Sequence, residues 1–222
     1  MYDYQENFLH FCVENNILCF GEFELKSGRK SPYFFNAGLF NTGKKLNFLG
    51  ETYQQTLQNS GIQFDLIFGP AYKGIPLACA VAGAYCRKTG EDIPWCFNRK
   101  EVKSHGEGGQ FVGKSLQGKR VALVDDVITA GTAIGEVVPM IKAAGGEVKV
   151  ICTALNRQER AANSSISSVK QVEMQWNSPV ISIITLNDIF TFIQNSKTLQ
   201  KYAQAIDAYQ RQYCEEKGGT SD

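Results

Sequence analysis

Between residues 66 and 184, short apolar runs alternate with amphipathic stretches, and no other feature constrains the chain as tightly. Leu66-Ile67-Phe68 reads as a brief buried strand closed by Gly69-Pro70, and residues 75–87 read as a helix. Further strands are expected over 93–97, 121–124, 148–155 and 180–184. A helix over 132–144 stops at Gly145-Gly146, and another over 199–213 closes the chain. Strands separated by helices need crossover connections and therefore lie parallel. The expected fold is α/β, with a doubly wound, mostly parallel sheet. Before this rhythm begins, Asp3 can cap a helix to about residue 15, and residues 21–25 alternate like a strand. A polar turn over 26–32 and an aromatic extended stretch over 33–40 follow, then a helix marked by Leu46, Leu49, Tyr53 and Leu57. The first forty or so residues fit no βα unit. They are expected to form a small N-terminal hood over a core of about 60–185, all within one domain spanning 1–222.

Composition narrows the partners. A 43% hydrophobic and 20% charged chain has the makings of a packed core and no disorder signature. A formal net charge of +1 provides no basic stripe, so nucleic acid is not an expected partner and any polyanion site must be local. The seven cysteines are scattered and never form a CxxC pair, which argues against a disulfide framework or a zinc site. The start Met1-Tyr2-Asp3-Tyr4 lacks a basic leader, and no apolar run approaches the ~18 residues of a membrane span. A cytoplasmic enzyme with no membrane attachment is the expectation.

Ligands of doubly wound sheets bind beyond the carboxyl ends of the strands. At one such end stands Val121-Ala122-Leu123-Val124-Asp125-Asp126-Val127-Ile128-Thr129-Ala130-Gly131-Thr132-Ala133. An apolar strand delivers two carboxylates, then a turn of small residues opens a helix. Backbone N–H groups at that helix start, with the Thr129 and Thr132 hydroxyls, can cradle a phosphate. The carboxylates would repel it, but as pure acceptors they suit ribose hydroxyls beside it. An N-cap would explain one aspartate and leave the other unexplained. A second strand end carries Gly69-Pro70-Ala71-Tyr72-Lys73-Gly74, a turn able to aim N–H groups and an ammonium at a pyrophosphate. Residues 98–119, rich in glycine and cations, read as a long mobile loop, either a lid or a merely solvated segment. Within it, Gly108 to Ser115 satisfies the P-loop pattern GxxxxGK[ST]. No strand precedes it, and too few residues follow for the required helix, so that reading fails.

The thirteen-residue segment resembles the phosphoribosyl pyrophosphate (PRPP) signature of the type I phosphoribosyltransferases. Combined with Lys26-Ser27-Gly28-Arg29-Lys30-Ser31-Pro32-Tyr33-Phe34-Phe35-Asn36, the 68–76 stretch and Phe97-Asn98-Arg99-Lys100-Glu101, it resembles the bacterial orotate phosphoribosyltransferases. The resemblance implies that PRPP is held by Lys26, Tyr72, Lys73, Arg99, Lys100, Lys103 and His105, and by Asp125, Asp126, Val127, Ile128, Thr129, Ala130, Gly131, Thr132 and Ala133. Lys103, Asp125 and Asp126 would be the catalytic set. Orotate, a flat pyrimidine carboxylate, would meet Lys26, Phe34, Phe35, Thr129 and Arg157, the last offering a bidentate fork. Successive strand residues face opposite ways, so at most one of the two phenylalanines can point straight at the base. The resemblance further implies Mg²⁺ held mainly by substrate and water, with no direct protein ligand required. It implies a homodimer in which Arg99, Lys103 and His105 complete the neighbouring site while Lys100 serves its own. The rival readings are a phosphoribosyltransferase for another nucleobase and a non-catalytic PRPP-sensing regulator.

Overall fold

The computed structural model describes residues 1–25, 28–103, 109–129 and 131–215, with backbone alone at 102 and 103. The expected βα alternation is present. Six strands form one sheet: β3 (Leu66–Gly69), β4 (Trp95–Lys103), β5 (Gly109–Gly113), β6 (Arg120–Val127), β7 (Glu147–Asn156) and β8 (Val180–Thr185). Their order is β5-β4-β3-β6-β7-β8, all parallel except β5. From β3 the chain builds outward to β4 on one side and through β6, β7 and β8 on the other. The winding thus reverses between β3 and β6, and a crevice opens beyond their carboxyl ends.

Strand residues alternate between two cores. Ile67, Ala122, Val124, Val150 and Cys152 face α2 (Gly43–Ser60) and α3 (Gly74–Thr89), in a core that the hood also enters. Leu66, Phe68, Val121, Leu123 and Ile151 face the other way, onto α4 (Thr132–Ala143) and α5 (Ser168–Trp176). Both faces are covered, as a parallel sheet requires. All seven cysteines are free thiols, and burial pushes those of Cys12 and Cys152 far up, so they act as small apolar side chains.

The hood consists of α1 (Asp3–Glu14) and an antiparallel pair, β1 (Leu18–Glu24) and β2 (Lys30–Phe35). Phe8, Leu9, Tyr33 and Phe35 join the core of the main sheet. The hood also leans on the last helices, α6 (Leu186–Gln194) and α7 (Ala203–Tyr213). His10 packs edge-on against Phe192, and Tyr33 edge-on against Tyr209.

The segment 98–119 departs from the single loop expected of it. β4 continues six residues past Phe97, and β5 returns antiparallel to it, with a register irregularity between Asn98 and Lys103. Polar side chains and glycines hid this ribbon, because its stability comes from cross-strand hydrogen bonds and not from an apolar face. Gly109 to Gly113 of the false P-loop lie in β5, and no helix follows them before β6. Two helices, α5 and α6, are not among those the spacing predicts. The first is short with only Val169 and Val172 buried, and the second follows β8 without a connecting loop.

Candidate active site

At the crevice, β6 delivers Asp125 and Asp126 in its last turn of pleat. The Tyr53 hydroxyl of α2 donates to the Asp125 carbonyl at 2.6 Å and pins the strand end from below. Asp125 Oδ1 accepts from the Asp126 N–H at 2.9 Å, and Asp126 Oδ1 accepts from the Val127 N–H at 2.8 Å. Each carboxylate is therefore oriented by the backbone and keeps lone pairs for a ligand. Burial pushes the Asp125 carboxyl up to about 6, and the neighbouring Asp126 charge adds to the rise. The Asp126 N–H and Lys73 oppose it.

Beyond Ile128 and Thr129 the chain enters α4 through Gly131, whose φ of +71° is left-handed. A side chain there would be strained and would also meet Val172 Cγ2 at 2.9 Å. Among the described residues no side chain caps α4, and Thr132 and Ala133 in its first turn are exposed. Open N–H groups at the positive end of a helix dipole make a site for a phosphate.

The facing loop belongs to β3 and α3. A Cβ on Gly69 would fall 1.9 Å from the Gly74 carbonyl oxygen, and one on Gly74 would fall 2.7 Å from Gly69 C. Only two glycines permit so close a return, which lifts residues 70–73 over the crevice. Within this loop the Ala71–Tyr72 peptide is cis, Tyr72 is 70% exposed, and Lys73 Nζ reaches Asp126 Oδ2 at 2.9 Å. The hydrogen bond to Asp126, then its charge, raises the Lys73 ammonium above its ordinary range. Buried Asn98 accepts from the Ala71 N–H at 2.9 Å and ties the loop to β4. Sequence reasoning passed over Asn98. Its sole signal was a polar residue ending an apolar strand.

The ribbon and the base pocket complete the site. Lys100 Nζ pairs with Glu136 Oε2 of α4 at 3.1 Å, so the root of the ribbon contacts its own subunit's helix. Arg99 is half-buried at the start of the ribbon. Lys26, His105, Ala130 and the side chain of Lys103 lie outside the described residues. Thr129 and Arg157 line one cleft with Ile128 and Asn156. The Arg157 guanidinium sits 5.1 Å over the Tyr33 ring. Its Nε donates to Glu159 Oε1 at 2.6 Å, and its Nη2 donates to the Tyr209 hydroxyl at 3.3 Å. The expected free fork needs correction, because Nη2 also reaches Glu159 Oε1 at 2.6 Å, so the protein engages both Nε and Nη2 and leaves Nη1 for a ligand. Phe35 needs correction as well. At 8% exposure it packs against Phe8 in the core, because inward positions of β2 alternate with outward ones. Phe34, 39% exposed and stacked on Phe23, is the one that can offer a face.

The pattern of the phosphoribosyl transferase domain matches residues 43–183, from α2 to β8. Similarity to whole proteins extends further. The orotate phosphoribosyltransferase of Thioalkalivibrio sulfidiphilus is 54% identical over 213 residues, covering 96% of this chain and 99% of that one. The enzyme of the same name from Shigella sonnei is 52% identical over the same shares. The crystal structure of orotate phosphoribosyltransferase from Francisella tularensis superposes with a TM-score of 0.86 at 39% identity, covering 94% of this chain and 100% of that one. The general domain pattern stops short of the hood and the last helices, whereas these full-length relatives include both. On that overlap, joined to an acid pair, an open helix start and a glycine-built loop at one crevice, the chain belongs to the orotate phosphoribosyltransferase family.

Proposed function

We propose that this chain transfers the ribose 5-phosphate group of PRPP to orotate, releasing pyrophosphate and forming orotidine 5'-phosphate. One observation carries the reading: the acid pair, the open start of α4 and the cleft holding Thr129 and Arg157 meet at a single switch point of the sheet. The 5-phosphate lies on the N–H groups of residues 129–133, and Asp125 and Asp126 accept from the ribose hydroxyls. The loop with Tyr72 and Lys73 meets the pyrophosphate, and Arg157 meets the orotate carboxylate with Thr129 beside it. Orotate nitrogen attacks C1 of the ribose as pyrophosphate departs, and the cations around the leaving group stabilise the charge that grows there.

Mg²⁺ fits this arrangement as an ion carried in with the substrate. A pair of carboxylates beside a pyrophosphate pocket is what a weakly caged, substrate-bound Mg²⁺ needs. When bound, it neutralises charge on the pyrophosphate. The working unit is a homodimer, in which Arg99, Lys103 and His105 of one ribbon complete the other subunit's site. Among the described residues no helix is long and apolar enough to cross a membrane.

Incubation with PRPP and Mg²⁺ should consume orotate, with uracil, adenine and hypoxanthine untouched. Consumption of another base would move the chain to a sister specificity, and tight PRPP binding without turnover of any base would make it a sensor. Arg157→Ala should raise KM for orotate while leaving that for PRPP nearly unchanged. The loss is roughly 2–4 kcal/mol if the carboxylate is left buried without its partner. Equal losses for both substrates would remove Arg157 from the base pocket.

A further inference from the structure

Glu159 is absent from the residues expected to touch substrate, yet the base pocket is organised around it. Its Oε1 accepts from Arg157 Nε at 2.6 Å and from the Tyr209 hydroxyl at 2.6 Å. Its Oε2 accepts from Arg29 Nη1 at 3.2 Å, in the turn leading to β2. Tyr209 Oη also accepts from Arg157 Nη2 at 3.3 Å, closing a triangle of Arg157, Glu159 and Tyr209. The side chains of Arg157 and Glu159 are only 12% and 16% exposed, so little water competes for these bonds. Tyr33 lies under the guanidinium plane and fixes its tilt. Three parts of the chain converge here: the strand β7 that ends beside Arg157, the hood turn, and α7.

A long arginine side chain loses much conformational freedom when a ligand orders it. One already held by a carboxylate, a phenol and a ring face gives up little more on binding. We infer that Glu159, assisted by Tyr209, is a positioning residue for orotate: together they take up Nε and Nη2 of Arg157 and so present Nη1 to the orotate carboxylate. Through Arg29 the same carboxylate ties the hood turn to that pocket, so hood and base site are set by one group. Glu159 lines the same cleft, but both of its oxygens are engaged by the two arginines, which offset its charge. This inference rests on Arg157 meeting the orotate carboxylate.

Kinetics on four variants test it. Glu159→Gln should raise KM for orotate about tenfold, with KM for PRPP changed less than twofold and kcat little affected. Tyr209→Phe, a milder change that keeps the ring, should raise KM for orotate two- to fivefold in the same selective way. Combined with Arg157→Ala, Glu159→Gln should add nothing further to KM for orotate, since a positioning residue has no effect without the group it positions. A purely structural Glu159 would lower the melting temperature and leave the ratio of the two KM values where it was. That outcome, or full additivity with Arg157→Ala, overturns the inference. If Arg157→Ala by itself leaves KM for orotate unchanged, the base assignment fails instead, so the two failures are told apart. Should Glu159→Gln not fold, Tyr209→Phe alone and in the Arg157→Ala background gives the same decision.

Discussion

Replacing Asp125 and Asp126 together by asparagine should cut PRPP affinity by roughly 10²- to 10⁴-fold, while making the free protein more stable at pH 8 than its parent. The affinity loss follows from exchanging two charged acceptors for neutral amides that half donate, at about 1.5–3 kcal/mol per hydrogen bond to a charged group. The stability gain follows from the Asp125 carboxyl, raised to about 6 chiefly by burial. A carboxyl whose folded pKa lies above its unfolded value contributes stability that is complete below the unfolded value, near 4, and is lost as pH rises through the folded value, near 6. At pH 8 the full penalty, on the order of 2–3 kcal/mol, is in force, and an asparagine escapes it. The amide oxygen of the new side chain at position 125 can still accept from the next backbone N–H, so the strand end keeps its bond. Calorimetry with PRPP gives the first number, and thermal melts at pH 4 and pH 8 give the second. The stability difference between variant and parent should shrink toward zero at pH 4. Unchanged PRPP affinity would dismiss the ribose role of the acid pair, and a variant no more stable at pH 8 would dismiss its buried charge.

Two inactive proteins should restore one another when mixed. Lys103→Ala is expected to lower kcat far more than substrate affinity, since the charge that Lys103 meets is greatest as pyrophosphate leaves. The double asparagine variant is inactive for the separate reason just given. Lys100 pairs with Glu136 of its own α4, but the ribbon then runs three residues further, about 10 Å at strand rise, before Lys103. The ribbon is thus rooted at its own site, and its length gives the tip the reach that a shared site requires. In a heterodimer, one site joins an intact ribbon to an intact acid pair, and the other holds both lesions. Up to about half of the parent activity per heterodimer should return, one working site in two. Subunit exchange followed by mass measurement establishes that heterodimers exist. If they exist and remain inactive, Lys103 acts only within its own subunit.

What could be read from the sequence followed the physics of periodicity. Strands β3, β6 and β7 are apolar because both their faces are buried, and that pattern is local, so their places along the chain and the acid pair at the end of β6 were legible. Residues past Val124 still belong to β6, a boundary that hydrophobicity misses because the last strand residues face the crevice. The ribbon was not legible, since its strands are stabilised by each other and its side chains are polar. α6 was also hidden, although Thr185 and Asp188 form a capping box that the sequence does spell. Its Ile- and Phe-rich face reads equally as strand or helix over so short a run. The partners of Arg157 lay beyond any such reading. Tyr209 meets it from α7, a pairing fixed by tertiary packing and by no spacing rule.

The ribbon divides β4 into two thermodynamic regimes. Trp95, Cys96 and Phe97 are hydrogen-bonded to β3 on one side, and Cys96 and Phe97 also pair with β5 on the other, so their amides open only when the sheet itself gives way. From Asn98 outward the strand has β5 alone for company, and two strands without a third are only marginally stable in water. Asn98 sits at the junction, with its side chain holding the Ala71 N–H. The outer ribbon can therefore unpair and re-form many times while the sheet, the glycine-built loop and the acid pair stay as they are. Parting the outer ribbon then costs a few cross-strand hydrogen bonds and leaves the global stability of the fold untouched.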